Sequence, residues 1–173
     1  MKFSIFNFQF SNRGFTIFFA TLVTSLALAI GLAIYDITVR ELSLSGVANQ
    51  SQYAIYAADT GAECALYWDT HCQAAGCNAG SAFPTSTQST LPSSGAGLTC
   101  NGQDIVATPW TVQQAAQSAT TTITVTFAPQ PYCAVVTIAK SGTPTQTTVV
   151  SHGYNTCAAG GVVRLERALQ VSY

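Results

Sequence analysis

The sequence predicts an α+β fold in which a long N-terminal hydrophobic helical spine packs on a small antiparallel sheet head. Three observations predict it. An uncharged apolar run lies near the front of the chain, and no proline occurs until Pro84. The C-terminal half alternates apolar with hydroxyl-bearing residues, the period-two signal of half-buried strands. All six cysteines lie on the far side of the apolar run. The composition narrows the possibilities further. Only 13 of 173 residues are charged, or 8%, against about 25% in a typical soluble domain. Fifteen Ser, 23 Thr and a 48% hydrophobic share stand in their place. Ample apolar content and a net charge of −1 argue against disorder. The lack of a basic face argues against nucleic-acid binding, which requires neutralised phosphates. Nor is the pattern that of a cytosolic housekeeping enzyme.

The first element is the run from Phe15 to Tyr35, 21 residues without a charge or a proline. A helix needs about 20 such residues to cross the hydrocarbon core of a bilayer. Eleven of the 21 are Leu, Ile, Val or Phe, which together favour insertion by about 3–7 kcal/mol. The Thr and Ser hydroxyls within the run lower that only modestly, because each can bond back to a carbonyl of the preceding turn. Lys2 and Arg13 precede the run, so the N-terminus is expected on the cytoplasmic side and everything after Asp36 outside. The cysteines fit that side, since disulfides persist in oxidising compartments.

Two processing fates compete at this segment. Ala27-Leu28-Ala29 has the small-x-small form of a secretory cleavage site, and cleavage after Ala29 would release a secreted protein. The alternative rests on Arg13-Gly14-Phe15-Thr16, which resembles the prepilin peptidase site of type IV pilins and type II secretion pseudopilins. That resemblance implies removal of a leader, residues 1–14, after Gly14 on the cytoplasmic side. It also implies N-methylation of Phe15 and retention of the hydrophobic helix. The sequence beyond Ala29 favours this second fate.

The helix is expected to continue through residues 36–69. Asp36 and Arg40 form an i,i+4 pair with the acid N-terminal to the base. Leu44, Val47, Ala54, Ala58, Ala62 and Ala65 recur at helical spacing, with Ser51 filling a gap, while Gln50, Gln52, Asp59 and Glu63 fall mostly elsewhere. Small side chains on that stripe allow a partner surface to approach the helix backbone. Residues 53–68, YAIYAADTGAECALYW, are similar to the second half of the spine in PilX-like minor pilins and K-type pseudopilins, with Ala57-Ala58-Asp59-Thr60-Gly61-Ala62-Glu63 carrying the likeness. One position departs from the pattern. Most members of the family carry Glu as the fifth mature residue, and here that position is Phe19. An intramembrane carboxylate is costly without a partner, and its replacement implies a minor or tip subunit in preference to a shaft subunit.

Beyond the spine, His71 to Ala107 is expected to be loop-like, and TSTQSTLPSSGAG, residues 85–97, to lie on the surface. Strands are expected where Ile123, Val125 and Phe127 alternate with Thr122, Thr124 and Thr126. Further strands are expected from Tyr132 to Ala139, after a Ser141-Gly142 turn from Thr147 to Ser151, and from Val162 to Tyr173. A sheet with one apolar face must cover it, and the small-residue stripe of the spine is the available partner. The expected organisation is therefore a leader at 1–14, a transmembrane or filament-core helix at 15–35, an amphipathic half-spine at 36–69 and an exported β-rich head at 70–173.

Few residues invite chemistry. Cys64, Cys72, Cys77, Cys100, Cys133 and Cys157 allow fifteen complete pairings, and two or three structural disulfides are expected without a fixed connectivity. His71, Cys72 and Cys77 are a rival metal set, but the spacing is not a standard zinc motif. His71 and His152 are the two possible neutral-pH bases, and no Gly-x-Ser-x-Gly elbow accompanies them. Asp59 and Glu63 lie one helical turn apart and are expected to be solvated; Gly160-Gly161 lacks the Lys and spacing of a phosphate loop. No cofactor and no enzymatic reaction are expected. The resemblance implies a non-enzymatic minor pilin or pseudopilin, held in the inner membrane before assembly and processed by prepilin peptidase. It would associate with other pilin subunits through its N-terminal helix and end in an extracellular filament. A monomeric single-pass surface anchor or adhesin remains the other alternative to the secreted protein.

Overall fold

A computed structural model describes residues 14–108, 110–158 and 164–173. Its elements are one helix and seven strands: α1 (Gly14–Thr70), β1 (Thr99–Cys100), β2 (Gln103–Asp104), β3 (Thr111–Ala115), β4 (Ser118–Thr126), β5 (Cys133–Ser141), β6 (Gln146–Tyr154) and β7 (Glu166–Ser172). This is the expected α+β architecture, with one long N-terminal apolar helix and an antiparallel sheet packed on its distal part. Two compact units divide the chain, Met1–Gly46 and Val47–Tyr173.

In the first unit the helix is held by its own backbone. Thr21, Thr24, Ser25 and Thr38 return their hydroxyls to the carbonyls of Phe18, Ala20, Leu22 and Ile34, so these four side chains are satisfied within the helix. Asp36 and Arg40 pair at 3.0 Å, both well exposed.

In the second unit β3 to β7 form one antiparallel meander in sequence order. Its inward rows follow from the register. Thr121, Ile138, Val149 and Val171 align across β4 to β7, as do Ile123, Val136, Ser151 and Leu169, and then Val125, Ala134, Gly153 and Arg167. Burial alternates along β4, β5 and β6: Thr121, Ile123, Val125, Val136, Ile138 and Val149 point inside, while Thr120, Thr122, Thr124, Val135, Thr137 and Val150 are half-exposed outside. The helix lies on those rows through Ala54, Ala57, Ala58, Ala62 and Ala65, all buried. Two glycines let the backbones meet. A Cβ on Gly61 would collide with Ala134 and Ser151, and one on Gly153 with the Ala54 carbonyl and the Ala58 amide. The remainder of the expected stripe differs: Leu44 and Val47 stay exposed, at 68% and 43%.

The segment expected to be a loop contains more structure than its composition suggested. Residues 85–97 are mostly exposed, but Phe83, Leu98 and Ile105 on either side are fully buried and extend the core. A small hairpin, β1–β2, turns through Asn101-Gly102, both at positive φ (48° and 73°). That is the backbone a two-residue type I′ hairpin requires, and Asn-Gly is its commonest sequence. Strand β3 was also not expected. Its TVQQA sequence lies at the sheet edge with four of five residues exposed, so no apolar alternation marks it.

Candidate functional site

The apolar helix surface is the first feature that demands a partner. Phe15, Phe18, Phe19, Leu26, Leu28, Leu32 and Ile34 are 59–80% exposed, and the exposed positions run all round the helix. None of the most apolar 18-residue window is buried by the rest of the chain. A helix that is hydrophobic on every side belongs in lipid or among other helices. This one is long and apolar enough to cross a membrane. Phe19 lies within this surface with 59% of its area open, and no carboxylate interrupts the run from Phe15 to Tyr35. Gly14 is the first helical residue and Phe15 is open at 80%. The residues preceding them, expected to form a leader and including Lys2 and Arg13, lie outside the described residues, as does the Gly160-Gly161 pair.

All six cysteines are paired. Cys64–Cys100 fastens α1 to the β1–β2 hairpin; Cys72–Cys77 closes the loop that follows the helix; Cys133–Cys157 joins the start of β5 to the segment after β6. The pairing of Cys72 with Cys77 occupies two of the three groups in the rival metal set. His71, the third, stacks on Tyr67 and bonds to Thr70 Oγ1 at 2.7 Å. Among the described residues no three His, Cys, Asp or Glu side chains are placed to share a metal ion.

The other candidates for chemistry are dispersed. His152 and Glu166 meet at 2.6 Å on neighbouring strands, and that hydrogen bond holds the Glu166 carboxyl below the usual carboxylate range. Arg164 covers the Tyr154 ring at 4.1 Å, and desolvation followed by the nearby Glu166 raises the Tyr154 phenol. Asp59 and Glu63 are exposed on α1, in agreement with the solvated role expected of them.

One buried polar cluster escaped the sequence reading. Asp69 Oδ1 pairs with Lys140 Nζ and accepts a hydrogen bond from Ser81 Oγ, while Tyr173 donates its phenol to Asp69 Oδ2 at 2.6 Å. Lys140 also donates to Ser81 Oγ at 2.8 Å. The Asp69 and Lys140 side chains are 4% and 7% exposed. Burial, and then the bond to Asp69, pushes the Tyr173 phenol strongly upward and keeps it protonated as the donor. The signal was positional. Lys140 continues the inward phase of Val136 and Ile138 on β5, and Asp69 lies one helical turn past the buried Ala65. A charge in an apolar phase marks a buried ion pair, and this one ties together the end of α1, the following loop, β5 and the end of β7.

Compared with family models, curated proteins and solved structures, the chain matches none.

Proposed function

We propose that this chain is a non-enzymatic subunit of a type IV pilus-like filament, a minor pilin or pseudopilin stored in the inner membrane before assembly. The observation that carries the proposal is the join of two surfaces on one helix. Its first part is apolar on every side and open, while its distal part carries a small-residue stripe covered by an antiparallel sheet. A subunit that moves from lipid into a helical bundle needs the first surface, because it exchanges one apolar surrounding for another. An exported head needs the second, because the sheet buries its apolar face there. In this account prepilin peptidase cuts after Gly14, Phe15 becomes the methylated N-terminus, and equivalent helices pack against Phe15–Tyr35. The leader's Lys2 and Arg13 keep the N-terminus cytoplasmic and place the head outside, where its three disulfides persist. Phe19 supports a minor or tip position, since it offers no carboxylate to an incoming N-terminal amine.

The test is incorporation. Gly14→Ala blocks leader removal, so the variant should vanish from filaments sheared off the cell surface while the wild-type chain is recovered there. Recovery of both or of neither overturns the proposal. Recovery of neither, with the wild-type chain retained in the membrane, leaves a single-pass anchor.

A further inference from the structure

The β1–β2 hairpin and the distal part of α1 line an open groove that includes the Cys64–Cys100 disulfide. Its volume is about 410 Å³, within the range of small-molecule sites. One wall carries Glu63, Tyr67 and Trp68 from the helix; the other carries Thr99 and Asn101 from the hairpin. We propose that this groove is a binding site for a neutral saccharide.

The aromatic platform is built before any ligand arrives. Trp68 donates its indole N–H to the Thr99 carbonyl at 3.1 Å, which fixes the ring across the groove. Tyr67 meets Trp68 edge-on at 5.0 Å and stacks on His71 at 4.8 Å, so its ring is braced while 53% of the residue stays open. The disulfide also ties the hairpin wall to the helix, and Asn101, in the positive-φ turn Asn101-Gly102, lines the groove. A saccharide ring has apolar C–H faces and an edge of hydroxyls. Aromatic rings suit the faces, and a carboxylate beside an amide and a hydroxyl suits the edge, because together they supply acceptors and donors.

The charge of the groove selects among ligands. Its single ionic group is Glu63, and no Lys or Arg lines it. A phosphate, sulfate or nucleic acid would meet repulsion there. A quaternary amine requires aromatic faces stripped of water, whereas this groove lies open to solvent along the helix. A neutral polyol satisfies both conditions. The site lies wholly within Val47–Tyr173 and does not rest on the filament proposal.

The full chain, purified in a polyoxyethylene detergent that carries no sugar, would be passed over immobilised glucose-, galactose-, mannose- and N-acetylglucosamine-terminated glycans, with choline and lysine surfaces alongside. The expected result is saturable binding to at least one glycan. Tyr67→Ala and Glu63→Gln should each weaken it about tenfold, the loss typical of a central aromatic or polar anchor. Gln113→Ala, on exposed β3, should leave it unchanged. If Tyr67→Ala lowers the melting temperature, Tyr67→Leu keeps the bulk and removes only the aromatic face, and the same weakening is expected. Three results overturn the proposal: no glycan captured at millimolar concentration, capture unmoved by the Tyr67 and Glu63 variants, or capture by choline or lysine surfaces alone.

Discussion

Gly153 stands where β6 passes beneath α1, and its lack of a side chain sets how closely sheet and helix approach. A methyl group there would press on two backbone atoms of the helix, the Ala54 carbonyl oxygen and the Ala58 nitrogen. Backbone of a packed helix cannot turn aside as a side chain can. Gly153→Ala should therefore cost about 3 kcal/mol or more, the upper end of overpacking, and lower the melting temperature by about 6–12 °C. Gly46→Ala has open space around its Cβ and should leave the melting of the head unchanged. The Asp69–Lys140 pair is the other residue on which the head depends. Lys140→Met keeps the stem but leaves the Asp69 carboxylate buried without a cation, a loss of about 3–5 kcal/mol. Adding Asp69→Asn should recover part of that loss, because the stranded charge is then gone. Denaturant titration of the single and double variants checks both expectations. Neither residue announces itself by type. Gly153 is one of 13 glycines, and Lys140 reads as a solvated strand end until its phase with Val136 and Ile138 is followed.

At the scale of elements, the loop between α1 and β3 is organised by Asp104. Its carboxylate accepts the backbone N–H of Gly95 and of Val106, each at 2.9 Å, and the Ser94 hydroxyl at 3.2 Å. The backbone bond from Gly95, then that from Val106, holds the Asp104 carboxyl below the usual carboxylate range. The folded state thus binds fewer protons than the unfolded state as pH falls through that range. Stability from this group is full above the ordinary carboxylate value and is lost as pH drops through the lowered one. Asp104→Asn should reduce stability at neutral pH and flatten its dependence on pH in the acid limb, as read from melting temperatures between neutral and strongly acid buffers. This segment also shows where elements were and were not legible. β4 lies where apolar and hydroxyl residues alternate, and β5 and β6 lie on the β-branched stretches that follow it; each has one covered face. β3 covers nothing and has no alternation to read. The β1–β2 hairpin is too short for periodicity, and its signal is the Asn101-Gly102 turn itself. The groove was illegible for a related reason: Glu63 and Tyr67 are separated in sequence from Thr99 and Asn101, and the Cys64–Cys100 bond and the Trp68–Thr99 hydrogen bond bring the two walls together.

For the whole molecule, the low charge has two separate physical origins. One is the helix from Phe15 to Tyr35, an uncharged segment long and apolar enough to cross a membrane. The other is a head in which threonines line much of the outer sheet face, and disulfides with the buried Asp69–Lys140 pair supply cross-links. The first was readable from composition alone, because an uncharged helix of this length has few other uses. Which cysteines pair was not, since the partners are set by how the loop after α1 folds back on the helix and how the segment after β6 returns to β5. The central claim is that Phe15–Tyr35 is kept on the mature protein and used for assembly, and the most direct test is the intact mass and N-terminal sequence of the chain recovered from the cell surface. The account predicts a chain that begins at N-methylated Phe15. A chain that begins at Ile30, or that retains Met1, would contradict it.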